Sequence, residues 1–402
     1  MTTLSVVIPA YNEEQGIAEI MQRVLAVRTD LATKNRLDLE LLVVDDGSHD
    51  KTVEIASQIA SSNEGVRILR HEKNRGYGAA LKTGFCGARG EWIGFLDADG
   101  TYPPEFFPKL CSVAADGHDL VIGSRMAGEK SEMPFVRKVG NRIFASWINL
   151  LGRSKITDSA SGMRVFKRDI LERVYPLPDG LNLTPIMSTR AIHEGIKMTE
   201  VPIPYSERVG RSKLSAVRDG SVYLQTITWT VLTYNPVRIF GMLGLGGIIA
   251  AGLVGLGLII ARLSGVTTLP PWGVALLFLA LVSAVAGASI FALGATFNYL
   301  VSLFYNRPIR QGLFGKPILK TPIEHTFGWA GIGLFVMGGL VGIMSLFLGL
   351  SGWEIERLWL YLLGSAMLIL TGIQLVIYWI LMRALAELSQ RDLIIRRDLT
   401  VG

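Results

Sequence analysis

The chain predicts an α/β domain on a mostly parallel, Rossmann-like sheet, followed by an α-helical membrane domain of four spans. Three observations carry that prediction. Apolar, strand-like runs alternate with helix-like segments up to about Val237, the pattern of a parallel sheet with helices on both faces. Beyond Val237 long uncharged stretches dominate, and they bring the 402 residues to 50% hydrophobic and a mean hydropathy of +0.37, too apolar for an ordinary soluble protein. The run Trp92-Ile93-Gly94-Phe95-Leu96 ends abruptly in Asp97-Ala98-Asp99, so two acids are expected where a buried strand leaves the sheet. Open α/β sheets bind ligands there.

In chain order, Leu4–Ile8 is a buried strand by its β-branched run, closed by Pro9-Ala10-Tyr11-Asn12. Glu13 and Glu14 suit the first turn of the helix that follows, where the dipole favours negative charge. No Gly-x-Gly-x-x-Gly occupies this first turn, which excludes the dinucleotide fingerprint. A second strand, Leu39–Val44, leads through Asp45-Asp46-Gly47-Ser48 into a helix ending near Ser62. Ser48 or Asp50 could cap that helix, but capping does not explain two adjacent acids at a strand end. A third strand, Val66–Leu69, precedes the glycines of Asn74-Arg75-Gly76-Tyr77-Gly78 and a helix to about Ala88; the strand ending at Asp97 follows. Pro103-Pro104-Glu105 opens another helix, and a strand over Asp119–Gly123 ends at Ser124-Arg125, putting a cation at the same rim. Two carboxylates one residue apart can share a hard divalent cation, and an arginine beside them offers bidentate hydrogen bonds to a diphosphate. The plain alternatives are a solvated turn and a surface arginine.

The ordered set Pro9-x-Tyr11-Asn12-Glu13, Asp45-Asp46-Gly47-Ser48, Asp97-x-Asp99 and Gly123-Ser124-Arg125 resembles a family 2 glycosyltransferase with the GT-A fold. Asp158-x-x-Ser161-Gly162-x-Arg164-x-Phe166, Glu200-Val201-Pro202-Ile203 and Arg208-Val209-Gly210-Arg211-Ser212-Lys213 narrow the resemblance to the dolichyl- or polyprenyl-phosphate sugar synthases. It covers about half of the chain. The resemblance implies that Pro9, Tyr11, Glu13, Val44 and Asp46 hold the base and ribose of a nucleotide sugar. It implies further that Asp97, Ala98 and Asp99 sit at the sugar diphosphate, with Asp97 and Asp99 at a divalent metal (Mg2+ or Mn2+), Asp99 nearest, and that Arg125, Arg208 and Lys213 bind phosphates, Arg208 and Lys213 drawing in the acceptor. Asp97, Asp99 and Arg125 are then the catalytic set. Two departures stand out: the mannose synthases carry a metal-assisting glutamine where this chain has Thr101, and their basic motif has one more residue before its Ser-Lys pair.

The expected reaction is inverting transfer of a hexose from GDP-mannose or a UDP-hexose to a polyprenyl or dolichyl phosphate. A lipid phosphate is already anionic at pH 7, so the nucleophile needs no general base. A processive polysaccharide synthase is the competing enzyme reading, but Gln225-Thr226-Ile227-Thr228-Trp229 lacks the spacing and the arginine of that class's Gln-x-x-Arg-Trp motif. A non-catalytic lipid-binding protein could dispense with Asp97, Asp99 and Arg125, and all are present.

Phe135–Leu151 mixes Arg137, Lys138 and Arg142 with Ile143, Phe144, Trp147 and Ile148, as a basic amphipathic helix at a membrane surface does; the alternative is a helix packing its apolar side on the sheet. Lys213–Tyr234 is similar. Spans are expected near Ile239–Ala261, Trp272–Tyr299, Phe327–Leu350 and Leu358–Leu381, each about the 20 residues needed to cross as a helix. The resulting division is a catalytic domain over 1–212, an interfacial connector over 213–238 and a membrane domain over 239–402. Arg307, Arg310, Lys316 and Lys320 lie between the second and third spans, and Arg383, Arg391, Arg396 and Arg397 follow the fourth. By the positive-inside rule the middle loop, both termini and the catalytic domain are cytoplasmic, in a multi-pass cell-membrane protein. The opening residues, which lack a basic segment and a cleavage site, agree. The net charge of +6 fits anionic lipid headgroups beside the spans, and no nucleic-acid partner is expected. The first span's glycines, Gly244, Gly246, Gly247, Gly252, Gly255 and Gly257, suit close helix approach, within one chain or in a homo-oligomer. Cys86 and Cys111 read as packing residues rather than a disulfide framework.

Overall fold

A computed structural model describes residues 2–127, 133–152, 154–206, 216–266, 270–305, 323–353 and 355–399. Internal contacts divide the chain into two compact units, Met1–Val231 and Leu232–Gly402.

The first unit alternates as the sequence predicts. Strand β1 (Thr2–Ala10) is followed by helices α1 (Ile17–Ala26) and α2 (Arg28–Asp30), then β2 (Leu37–Asp45), α3 (Thr52–Ser61), β3 (Val66–Arg70), α4 (Tyr77–Gly87) and β4 (Trp92–Phe95). Next come α5 (Phe107–Ala115), β5 (Leu120–Ser124), α6 (Phe135–Gly152), β6 (Arg164–Lys167), α7 (Ile170–Val174), α8 (Leu183–His193), β7 (Met198–Pro202) and α9 (Ala216–Tyr234). The seven strands lie in the order β3-β2-β1-β4-β6-β5-β7. All neighbours are parallel except β6, which runs antiparallel between β4 and β5. The chain winds outward from β1 through β2 to β3, then returns to place β4 on the other side of β1. That reversal opens a crevice beyond the carboxyl ends of β1 and β4, where Pro9–Glu13 and Asp97–Asp99 lie.

Strands β1 and β2 are buried almost throughout, which is why they read as continuous apolar runs rather than alternating ones. Phe85 of α4 meets Phe95 of β4 and Phe166 of β6 in tilted and edge-to-face contacts, 5.7 and 5.3 Å between centroids. Helix α4 presses closely onto the centre of the sheet through Gly84: a Cβ there would stand 2.2 Å from Val7 Cγ1 and 3.2 Å from Val44 Cγ2. Cys111 is buried, its thiol pushed up to about 12 by burial, whereas Cys86 is exposed.

The second unit holds α10 (Pro236–Leu263), α11 (Pro271–Tyr305), α12 (Ile323–Leu350) and α13 (Ile355–Leu399), each long and apolar enough to cross a membrane. Helix α11 packs against both α10 and α13, and α12 pairs with α13. Glycine permits the first crossing: a Cβ on Gly244 would lie 2.6 Å from the Gly287 carbonyl. Gly246, Gly252, Gly255 and Gly257 meet nothing within 4 Å. The basic loop at Arg307, Arg310, Lys316 and Lys320 lies outside the described residues.

Because Val7 and Val44 sit on central strands that cannot retreat, Gly84→Ala is expected to destabilise the first unit by about 1–3 kcal/mol. The check is the thermal unfolding midpoint of the full chain in detergent. It should fall by several degrees, and an unchanged midpoint would contradict this packing.

Candidate active site

The floor of the crevice is two loops stitched together. Asn12, in the left-handed region at φ 51°, donates its backbone N–H to Ser48 Oγ (2.9 Å) and accepts the His49 N–H on its side-chain oxygen (2.9 Å). The Glu13 N–H reaches Thr52 Oγ1 at 2.9 Å, the Glu14 N–H reaches Asp50 Oδ2 at 3.1 Å, and Glu14 in return accepts the Lys51 N–H. Asp50 also accepts from the Thr52 N–H and hydroxyl. Burial alone would raise its carboxyl; these donors outweigh burial and hold it below the ordinary range. Reciprocal bonds of this kind fix the approach of Tyr11 and Glu13, both partly exposed at the rim.

Asp46 is turned inward. Its Oδ1 faces His71 Nδ1 at 2.7 Å and accepts the Arg75 N–H at 2.9 Å, and its Oδ2 accepts the Gly76 N–H at 2.8 Å. His71 Nε2 continues the chain to Thr83 Oγ1 at 2.8 Å. The second acid of the Asp45-Asp46 pair therefore shapes the turn that delivers α4. The side chain of Val44 is fully buried against Gly84, and those of Pro9 and Ala98 are buried as well, so they line the crevice through backbone.

Tyr77, the first residue of α4, donates its hydroxyl to Asp97 Oδ1 at 2.8 Å. Burial, and then the charge of Asp97, push this phenol well above its ordinary value, so it stays a donor. Gly162 backs the same carboxylate so closely that a Cβ there would sit 2.6 Å from Oδ2. Asp99 is 9% exposed, and its Oδ1 accepts from the Thr101 hydroxyl (2.6 Å) and the Thr101 N–H (3.2 Å).

Arg125 is gripped rather than loose at the rim. Its Nε and Nη2 donate to Asp158 at 2.7 and 2.8 Å, and its own N–H reaches the same carboxylate at 2.9 Å. Tyr102 and Tyr205 stack on the guanidinium, 5.6 and 5.4 Å from ring centre to carbon. Asp158 is fully buried and accepts a further bond from Asn141 at 2.9 Å. Burial pushes its carboxyl up, but the charge and hydrogen bonds of Arg125 win and leave it below the ordinary range. Conversely, burial opposes the charge on Arg125, and Asp158 more than restores it. Glu200 holds the loop that carries Asp158 by accepting the N–H groups of Thr157 and Asp158 and the Thr157 hydroxyl. Ser161 ties the loop to the Gly123 carbonyl at 2.6 Å. Fully buried Arg164 bonds to the carbonyls of Ser159 and Ser161; burial lowers its guanidinium to about 10.

Strands β1, β4 and β5 run in the same direction, so Tyr11 and Glu13, Asp97 and Asp99, and Arg125 all follow strands at one edge of the sheet; Arg208 and Lys213 lie outside the described residues. Sequence reasoning passed over Tyr77, Tyr102, Tyr205 and the partner roles of Asp158 and Glu200. Both acids stood in quoted motifs, and a buried acid that needs a cation was the available signal. Among the described residues no group of three or more His, Cys, Asp or Glu side chains could hold a metal. Asp97 and Asp99 are hard oxygen donors beside an open crevice. They fit a cation that takes one or two carboxylates and fills its remaining positions with phosphate oxygens and water, as Mg2+ and Mn2+ do.

The sheet order and the strand-end acids are those expected of a GT-A domain. Residues 5–175 match the family described as Glycosyl transferase family 2, and residues 236–396 match Domain of unknown function (DUF8752). Over 224 residues the chain is 32% identical to a dolichyl-phosphate hexose transferase of Haloferax volcanii, spanning 56% of this chain and 92% of that one. Over 319 residues it is 31% identical to an undecaprenyl-phosphate 4-deoxy-4-formamido-L-arabinose transferase of Photorhabdus laumondii, spanning 79% and 94%. A solved glucosyl-3-phosphoglycerate synthase from Mycobacterium tuberculosis aligns over 58% of this chain and 78% of its own, with 22% identity and a TM-score of 0.45. The chain belongs to glycosyl transferase family 2.

The Arg125–Asp158 pair gives a pH test with a definite sign. A carboxyl held low in the folded chain contributes fully above its unfolded value of about 4, and that contribution is lost as pH falls through the lower folded value. The melting-temperature gap between wild type and Asp158→Asn is expected to stay constant from about pH 8 to 5 and to narrow below about pH 4. A gap that widens in acid would contradict the pairing.

Proposed function

We propose that this membrane enzyme transfers a hexose from a GDP- or UDP-sugar to a polyprenyl phosphate, with inversion at the anomeric carbon. The observation that carries the reading is a preorganised set of acids and one clamped arginine at the sheet's switch point, on a chain whose described residues also include four helices long and apolar enough to cross a membrane. The names of the relatives, which specify dolichyl and undecaprenyl phosphate, support the acceptor class.

In this reading Tyr11 and Glu13 flank the base and ribose, with backbone of Pro9 and Val44 beside them, backbone of Ala98 lies at the sugar diphosphate, and Asp46 acts by holding the Arg75–Gly76 turn. Asp97 and Asp99 would hold a divalent ion, which when bound supplies positive charge at the diphosphate. Arg125, with Nε and Nη2 already committed to Asp158, presents Nη1 and a fixed positive charge to the same phosphates. Arg208 and Lys213, which follow Ser206 in the chain, would pair with the acceptor phosphate. That phosphate, with a second pKa of about 6 by analogy with phosphoserine, attacks as an anion, so no side chain has to remove a proton. The enzyme's work is in-line positioning and stabilisation of the leaving nucleoside diphosphate.

Helix α6 supports a site at the bilayer surface. It packs on α8, and Trp147 Nε1 donates to Thr228 Oγ1 on α9 at 3.2 Å, yet Phe135, Val136, Ile143 and Leu150 remain more than half exposed beside Arg137, Lys138 and Arg142. Apolar side chains with basic neighbours suit the headgroup region. We assign residues 1–212 to catalysis, 213–238 to the interface and 239–402 to the membrane, with the catalytic domain and both termini cytoplasmic.

The test is radiolabel transfer from a panel of GDP- and UDP-sugars to polyprenyl phosphate in membranes, with and without Mg2+ or Mn2+. A metal-dependent lipid product labile to mild acid is expected, and Asp99→Ala should lower its rate by about 100-fold or more. A polymer, or no lipid product from any donor, would overturn the reading.

A further inference from the structure

We infer that Thr101 is a positioning residue whose hydroxyl sets how Asp99 binds a divalent cation. The inference rests on the proposed nucleotide-sugar site and assigns a part to a residue that offers no charge of its own.

Thr101 is 1% exposed and lies two residues beyond Asp99. Its hydroxyl stands 2.6 Å from Asp99 Oδ1, at the short end for such a bond, and its backbone N–H donates to the same oxygen at 3.2 Å. Two donors on one oxygen fix the rotation of the carboxylate, so Asp99 meets a cation with a preset orientation rather than as a freely turning carboxylate. A hydroxyl also balances the carboxylate without competing for the cation, because it donates rather than accepts here.

Thr101 is tied in a second direction. Its carbonyl accepts the Ser206 N–H at 3.3 Å. Next to Ser206, Tyr205 packs edge-on against Tyr102 at 5.9 Å and stacks on Arg125. The residue that orients the metal-facing acid therefore also ties down the Tyr205–Ser206 segment. Loss of the hydroxyl should loosen Asp99 while leaving this backbone tie in place. Valine is close to threonine in shape and lacks the hydroxyl, so Thr101→Val isolates the hydrogen bond.

The experiment measures Mn2+ binding by electron paramagnetic resonance to the full chain in detergent, with GDP and with UDP, alongside the Mn2+ dependence of sugar transfer. Wild type and Thr101→Ser are expected to bind within about twofold of each other, and Thr101→Val about tenfold more weakly, the size of one hydrogen bond to a charged group. Transfer by Thr101→Val should recover as Mn2+ is raised, whereas a merely structural lesion would not recover. If Asp99→Ala abolishes Mn2+ binding but a folded Thr101→Val binds as wild type does, the role of Thr101 is overturned and the site stands. If Thr101→Ser is as weak as Thr101→Val, the hydroxyl is not the determinant, which also overturns it. Wild type that binds no Mn2+ with either nucleotide would overturn the proposal together with the metal site beneath it.

Discussion

A fully buried carboxylate cannot remain charged without a partner, and the site is built around one such debt, the carboxylate of Asp158. Arg125 answers it with a two-pronged ion pair, and the pair demands its own supports. Tyr102 and Tyr205 enclose the guanidinium, Asn141 takes another position on the carboxylate, and Glu200 braces the loop from β7. Pairs of this sort add little net stability, because desolvation offsets attraction, but losing one partner strands the other at a cost of roughly 3–5 kcal/mol. The arrangement therefore acts as a specification: the loop carrying Asp158 and the end of β5 have one mutual placement.

The same logic runs through the rest of the crevice. Asp46 fixes the turn before α4, that turn delivers Tyr77, and Tyr77 fixes one oxygen of Asp97. Gly162, in the loop braced by Glu200 and Ser161, packs closely on the same carboxylate. Two chains of contacts, one from β2 and one from β5 and β7, thus converge on the first acid of the Asp-x-Asp pair. In the proposed reaction, groups held in this way need little reorganisation as charge develops on the leaving diphosphate, which is where preorganised electrostatics contribute most.

Much of this was legible in the sequence where burial leaves a simple trace. Continuous apolar runs marked β1, β2 and β4, and the abrupt change from Leu96 to Asp97 marked the mouth of the crevice. The spans were legible from length and composition alone. Strand β6 was not, because Arg164-Val165-Phe166-Lys167 is short and bounded by cations; Arg164 is buried only because the carbonyls of Ser159 and Ser161 receive it. Nor was the partnership of Arg125 with Asp158, 33 residues apart, since charge pairing across a sheet has no local period. Asp46 stood out in the sequence as one of two adjacent acids at a strand end, but that its oxygens serve the neighbouring turn follows only from the fold. The basic motif at Arg208 and Lys213 lies outside the described residues, so its part is carried by sequence alone.

In the proposed reaction an anionic acceptor displaces the nucleoside diphosphate directly, with no base and no covalent intermediate. The measurement closest to it is the anomeric configuration of the lipid-linked sugar, read by nuclear magnetic resonance on product made from a donor of known configuration. A product of opposite configuration to the donor is the expected result. Retention of the donor's configuration would require an intermediate on the protein or a second displacement, and would contradict the account.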